Sequence, residues 1–215
     1  MIATPITANT EKKALAQMTK AAYAGAECLE LRIDYMWQPD LKQLINHLPH
    51  ISKIVTNRPM DEGGRAQCPE YKRILQLQEA IMHGADMVDI EFRHWTPLNK
   101  KDTSIIVSHH DFDRTPDDLE ELYKRMEDTG ADILKLATKA NTKEDCTRMF
   151  KLIEKARTPI IGICLGELGI PTRIHGPWKG SYLTFAAIDK ESATAQGQLT
   201  ISQLKDAWAI HGYTA

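Results

Sequence analysis

Apolar residues along this chain fall into two alternating kinds of block. Short runs in which apolar and polar positions alternate read as strands over residues 2–7, 28–34, 52–58, 87–92, 103–112, 133–138, 159–165 and 182–188. Stretches with helical spacing separate most of them, over 9–24, 40–50, 69–83, 115–129, 143–157 and 200–212. The helix starts carry signals of their own. Asn9-Thr10-Glu11 forms a cap, Pro69 stands at a first turn, and Thr115-Pro116-Asp117-Asp118 supplies a cap, a proline and acidic residues. The connection from Arg93 to Lys101 has room for little helix. Strand and helix alternating in this way predict a parallel sheet with right-handed crossovers.

One pattern occurs three times in register. Gly25-Ala26-Glu27 leads into Cys28-Leu29-Glu30-Leu31-Arg32, Gly84-Ala85-Asp86 into Met87-Val88-Asp89-Ile90-Glu91, and Gly130-Ala131-Asp132 into Ile133-Leu134-Lys135-Leu136-Ala137. Each glycine follows a helical segment, where a left-handed C-terminal residue is favoured. Aligned on the glycine, Glu30, Asp89 and Lys135 are equivalent, with Arg32 and Glu91 two residues further on. The intervening Leu29, Leu31, Val88, Ile90, Leu134 and Leu136 form an apolar face for packing on helices, so the polar residues look elsewhere. A lysine within a short apolar strand is costly unless it is paired, used, or reaches water at a strand end. Three polar positions in one register favour a shared, partly wet interior.

These are the second, fourth and sixth strands, and in a closed barrel alternate strands fill the same interior layer. The expected fold is therefore α/β, a (β/α)8 TIM barrel rather than an open doubly wound sheet. It should be compact, since 215 residues leave about 27 per unit, with a shortened fourth helix. No linker or low-complexity segment appears, so residues 1–215 are expected to form a single catalytic barrel domain.

Composition narrows the functional classes. The chain is 42% hydrophobic and 26% charged, as an ordinary globular protein is. Its 27 basic and 29 acidic residues leave a net charge of −2, which offers no electrostatic reason to expect nucleic acid or a membrane surface. Met1-Ile2-Ala3-Thr4-Pro5 lacks the apolar run of a signal peptide, and no segment approaches membrane-spanning length. The cysteines, Cys28, Cys68, Cys146 and Cys164, lack metal-type spacing, and Cys28 and Cys164 read as buried thiols. A reducing, cytoplasmic setting is the expectation.

The mouth of such a barrel lies at the C-terminal ends of its strands. There the chain delivers Glu30 and Arg32, Arg58 with the loop Met60-Asp61-Glu62-Gly63-Gly64, Asp89 and Glu91, His109-His110-Asp111, and Lys135. A long loop with Arg173 follows the seventh strand, and Ser192 to Gln198 follow the eighth. Arginines match a carboxylate or phosphate with a bidentate fork, so the set suits a small anionic molecule. A lysine amine among arginines in a poorly hydrated pocket sheds its proton more readily than in water and can attack a carbonyl. A histidine can shuttle a proton to and from carbon or oxygen. Lysine with histidine and no metal-ligand set suggests Schiff-base chemistry. Adjacent histidines on a strand point to opposite faces, so His109 and His110 do not readily share one metal ion. The other readings of these charges are a salt-bridge network holding the strands in register and a Schiff-base aldolase. A third is a non-catalytic ligand-binding protein.

As an ordered set, these motifs resemble the type I 3-dehydroquinate dehydratases. The resemblance rests on Glu30-Leu31-Arg32-Ile33-Asp34, Arg58 with Glu62-Gly63-Gly64, Asp89-Ile90-Glu91, and Ser108-His109-His110-Asp111-Phe112. It continues through Asp132 to Ala137, Arg173 and Gly197-Gln198. It implies a (β/α)8 barrel and syn elimination of water from 3-dehydroquinate to give 3-dehydroshikimate in the shikimate pathway. That reaction uses no metal or cofactor. It also implies Lys135 as the Schiff-base lysine, His110 as the general acid and base, and Glu62 as the carboxylate orienting it. Arg173 would bind the substrate carboxylate, Glu30, Arg32 and Arg58 its other polar groups, and Gln198 would reach in from a closing loop. Thr194 stands where relatives often carry serine, and its hydroxyl can do the same job. Gln196 stands where some carry proline, which suggests a more mobile lid. The chain starts at its first strand, so an N-terminal plug under the barrel is expected to be missing or reduced. A homodimer is the candidate assembly, with 3-dehydroquinate as the small-molecule partner.

Overall fold

Eight parallel strands form the wall: β1 (Ile2–Ile6), β2 (Cys28–Arg32), β3 (Ser52–Thr56), β4 (Met87–Glu91), β5 (Ser104–Asp111), β6 (Ile133–Lys139), β7 (Ile160–Leu165) and β8 (Thr184–Phe185). The computed structural model describes residues 1–213. The strands follow the order β7-β6-β5-β4-β3-β2-β1-β8, and every neighbouring pair is parallel. The lead-in to β8 narrows the remaining seam. Ser181 bridges Ile160 of β7, and the Tyr182 N–H donates to the Ile160 carbonyl at 2.7 Å. The result is a nearly closed (β/α)8 barrel.

The outer ring comprises α1 (Glu11–Ala24), α2 (Leu41–Asn46), α3 (Glu70–Met82), α4 (Leu119–Glu127), α5 (Lys143–Lys155), α6 (Ile170–His175) and α7 (Ile201–Ile210). After β4 there is only a 3-10 turn, Phe92–His94, so the fourth outer position is thin, as the short connection predicts. Two expectations are corrected. The segment after β7 is not simply a long loop, because it contains α6, whose last turn carries Arg173. Residues 115–118 do not begin α4. The Thr115 hydroxyl is buried against the Thr138 hydroxyl and the Lys139 carbonyl (2.9 Å each), tying this segment to the end of β6, and α4 starts only at Leu119.

The threefold repeat has a structural reason. Gly25, Gly84 and Gly130 take left-handed φ values of 96°, 84° and 70°. The acid two residues later turns back to the preceding strand. Glu27 accepts from the Ile2 N–H (2.7 Å), Asp86 from the Lys53 N–H (2.8 Å) and Asp132 from the Ile105 N–H (2.8 Å). Each carboxylate thus satisfies a backbone donor at the start of β1, β3 or β5, one residue before the ladder to the following strand begins.

Alternation along the strands then divides the core in two. Leu29, Leu31, Val88, Ile90, Leu134 and Leu136 join Met18, Leu77 and Met149 beneath the helices. Inside the barrel, Ala3, Cys28, Ile54, Met87, Ile106, Ile133, Ile161 and Leu183 form an apolar floor. The next inward positions up β2 to β6 are polar: Glu30, Thr56, Asp89, Ser108 and Lys135.

Candidate active site

Above the floor, the even strands supply one layer. Lys135 Nζ on β6 lies 3.0 Å from Asp89 Oδ2 on β4, 3.7 Å from Glu30 Oε1 on β2, and 4.5 Å from the ring centroid of Phe185 on β8. This is the layer the register predicted, and Lys135 is only 6% exposed, so it is no solvated strand end. Its nearest charged neighbours differ from those expected: they are carboxylates rather than arginines. The odd strands brace the layer from between. The Thr56 hydroxyl donates to Glu30 (3.0 Å), and the Ser108 hydroxyl donates to Asp89 (2.6 Å).

Arg58 is placed by a turn that needs two glycines. Gly63 has φ +75°, and a Cβ on Gly64 would sit 2.0 Å from the Arg58 carbonyl. The loop therefore folds tightly back on the Arg58 backbone and carries Glu62 inward. Both terminal nitrogens of the Arg58 guanidinium are engaged. Nη2 donates to Asp89 (2.8 Å), and Nη1 donates to Glu91 (2.9 Å) and the Ser108 hydroxyl (2.7 Å). Burial works against its charge, but Asp89, Glu91 and Glu30 outweigh that and raise its pKa further. Burial also opposes ionisation of Asp89, yet Arg58 and Lys135 hold its carboxyl well below the usual carboxylate range. Arg32 forms a bidentate pair with Asp34 (2.8 and 2.7 Å).

His110 and Glu62 form a second unit. Glu62 Oε2 accepts from the His110 backbone N–H and faces Nδ1, both at 3.0 Å. With Nδ1–H donating to the carboxylate, Nε2 carries the free lone pair, and it has no partner among the described residues. Burial, then the charges of Arg58 and Lys135, hold His110 well below its ordinary pKa, so the ring is neutral. Burial pushes Glu62 up to about 7, against the pull of Arg58. A carboxyl near 7 bonded to a neutral imidazole suits proton transfer at neutral pH. His109 is absent from the cleft, consistent with alternation, and among the described residues no cluster of three or more His, Cys, Asp or Glu has a metal-holding arrangement.

Arg173 is unlike the other buried arginines. It is 2% exposed, and among the described residues its Nε has no partner and its one bond is Nη2 to the Gln196 carbonyl at 3.5 Å. With no carboxylate bonded to it, burial lowers its pKa to about 10. A buried guanidinium without an acid is suited to pairing with an anion. The loop after β8 lies over it. The Gly166 N–H donates to the Gln196 carbonyl (3.1 Å), and Gln198 Oε1 accepts from the Thr194 N–H (2.6 Å) and hydroxyl (3.2 Å).

Glu30, Arg32, Arg58, Glu62, His110, Lys135, Arg173, Thr194 and Gln198 all line one cleft. Sequence reasoning missed Arg73, which reaches from α3 to Glu91 at 2.6 Å, and the placement of Ser108 and Phe185 around Lys135. Arg73 did leave a signal, since it shares a helical face with the buried Leu77, Ala80 and Ile81.

Comparison with known proteins follows the same outline. The family model described as Type I 3-dehydroquinase matches residues 2–214. The bifunctional 3-dehydroquinate dehydratase/shikimate dehydrogenase of Arabidopsis thaliana is 36% identical over 219 residues, which cover 96% of this chain. The chain spans only 36% of that longer protein. The 3-dehydroquinate dehydratase of Desulfotalea psychrophila is 35% identical over 198 residues, 86% of this chain and 87% of that one. The crystal structure of 3-dehydroquinate dehydratase from Geobacillus kaustophilus matches with a TM-score of 0.89 at 26% identity, covering 100% of this chain and 92% of that one.

Proposed function

The chain belongs to the type I 3-dehydroquinase family, and from that premise we propose that it removes water from 3-dehydroquinate through a lysine Schiff base, giving 3-dehydroshikimate. The observation that carries this reading is one cleft lined by a buried amine, a neutral imidazole with a free nitrogen and a guanidinium without an acid. Those are the three functions the elimination requires: a nucleophile for the ketone, a proton carrier, and an anchor for the substrate carboxylate.

In this scheme Lys135 attacks the C3 ketone and, with His110 moving protons, water is lost to leave an iminium. The iminium withdraws electrons and acidifies C2. His110 Nε2 takes a C2 proton, and an enamine forms. The imidazolium then gives a proton to the C1 hydroxyl, which departs as water, and hydrolysis of the iminium frees product and Lys135. Glu62 holds the imidazole by Nδ1 so that Nε2 faces the substrate. Arg173 receives the carboxylate, which exchanges a desolvated lone cation for a bidentate pair and fixes the ring over the amine. Glu30, Arg32 and Arg58 border the polar side, and the Gln198 amide N–H groups and the Thr194 hydroxyl close the mouth. Residues 1–215 act as one catalytic barrel, and the assembly is read as a cytoplasmic homodimer, which sedimentation of the purified protein would test.

The experiment is direct. Incubation with 3-dehydroquinate should generate the ultraviolet absorbance of the conjugated enone product. Borohydride added during turnover should leave a stable mass on Lys135. An active enzyme whose lysine stays unmodified would rule out the covalent route. In His110→Ala the adduct should still form slowly while turnover falls at least about a hundredfold.

A further inference from the structure

Behind the cleft, an unbroken line of ion pairs runs from Lys135 out to the helical layer. Asp89 Oδ2 accepts from Lys135 Nζ (3.0 Å) and from Arg58 Nη2 (2.8 Å). Glu91 gives one oxygen to Arg58 (2.9 Å) and the other to Arg73 (2.6 Å). Arg58, Asp89, Glu91, Arg73 and Lys135 are all buried, Arg73 being 1% exposed. Arg73 belongs to α3, outside the barrel wall. It is held there by two bonds to Glu70 (3.0 Å each), and it donates to the carbonyl of Asn57, the residue before Arg58.

We infer that Arg73 is a positioning residue for Lys135, acting through Glu91, Arg58 and Asp89. The inference rests on the reading of Lys135 as the nucleophile. Arg73 controls Arg58 twice, once through the backbone at Asn57 and once through the second oxygen of Glu91. A carboxylate gripped by a guanidinium on each oxygen cannot rotate, so Glu91 has one orientation and presents Arg58 in one orientation. Arg58 in turn decides where the Asp89 carboxylate sits beneath the amine. Packing alone does not call for an arginine here, because an apolar side chain on the face shared with Leu77, Ala80 and Ile81 would stabilise the helix without desolvating a charge. With Glu30 included, the cluster holds three acids (Glu30, Asp89, Glu91) and three bases (Arg58, Arg73, Lys135). Removing Arg73 leaves Glu91 half-held in a site where burial already pushes its pKa up.

The test compares wild type with Arg73→Met, Arg73→Lys and Glu70→Gln, reading kcat, KM and the rate at which borohydride traps the Lys135 adduct. Arg73→Met should lower kcat and the trapping rate at least tenfold while KM stays within about threefold. Arg73→Lys should recover part of the loss, since an ammonium still pairs with Glu91. If Arg73→Met does not fold, Glu70→Gln, which loosens only the outer clamp at a side chain 43% exposed, should slow trapping severalfold. In a Glu91→Gln background the penalty of Arg73→Met should shrink, because the charged intermediary is already gone and only the hold on the Asn57 carbonyl remains to be lost. Wild-type kcat and trapping rate in foldable Arg73→Met or in Glu70→Gln would overturn the inference. So would an undiminished Arg73→Met penalty in the Glu91→Gln background. A wild-type protein that neither turns over nor is trapped would instead overturn the proposed function.

Discussion

Replacing Arg173 with methionine should strengthen the fold while disabling the site. The guanidinium is 2% exposed, and among the described residues its Nε is unpartnered and its one bond is a 3.5 Å contact with the Gln196 carbonyl. Burial lowers its pKa from 12.5 to about 10, which corresponds to a charge penalty of about 3 kcal/mol. Methionine keeps the length of the hydrocarbon stem and removes the charge, while the weak bond to Gln196 and some packing are lost. A net gain of about 1–2 kcal/mol is expected, or about 3–6 °C in Tm for a chain of this size. The linkage sign is simple. A cation with a depressed folded pKa carries its full penalty at every pH below that value, so the difference between wild type and Arg173→Met should be flat from pH 5 to 9. The same change removes the proposed carboxylate anchor, a charge-assisted pair worth about 2–4 kcal/mol, and should lower kcat/KM by about 30- to 1,000-fold. Thermal unfolding across pH and steady-state assays with 3-dehydroquinate measure both effects. A destabilised Arg173→Met, or one that keeps wild-type kcat/KM, would refute the assignment of a lone cation held ready for substrate.

Two further outcomes follow from the buried acids. Asp89→Asn leaves Arg58 and Lys135 short of a shared anion and should cost about 3–5 kcal/mol in urea unfolding at pH 7. Because the folded pKa of Asp89 is depressed, the wild-type advantage should be full above the ordinary carboxylate range and be lost as pH falls, and a loss under about 1 kcal/mol at neutral pH would contradict the ion-pair reading. Glu62 shifts the opposite way, from 4.5 up to about 7, so the folded state binds its proton more tightly and wild-type stability is drained as pH rises from 4.5 to 7. Glu62→Gln lacks that titration and should gain on wild type by about 1–2 kcal/mol between pH 5 and pH 8, after discounting for partial solvent access. A difference that does not change with pH would show that Glu62 is not held near neutrality by burial.

Much of the architecture was legible because backbone periodicity is local. Alternation at spacing two places side chains on opposite faces of a strand whatever lies around it, so Glu30, Asp89 and Lys135 could be put on one face before any contact was known. The glycine of each repeat needs a left-handed backbone, and the acid two residues later takes a strand-start N–H, both short-range demands written in the residue types. The expected site residues likewise line one cleft. The short helix α6 is hard to read because Gly169 and Gly176 flank it and Pro171 lies in its first turn, and 115–118 looks like a helix start although the Thr115 hydroxyl serves the end of β6 instead.

What the residues determined by themselves was the barrel, its register and the list of groups at its mouth. Only the tertiary structure decided how those groups divide the charges among them. Asp89 is 46 residues from Lys135 and 31 from Arg58, and Arg73 arrives at Glu91 from a helix outside the wall. Pairing at such distances depends on which side chains the nearly closed barrel brings within about 3 Å, and on a low-dielectric interior that strengthens each pairing. Arg32, Arg58 and Arg173 look alike in the sequence. Among the described residues the fold gives acids to the first two and none to the third, because α6 buries Arg173 where none of their carboxylates reaches it.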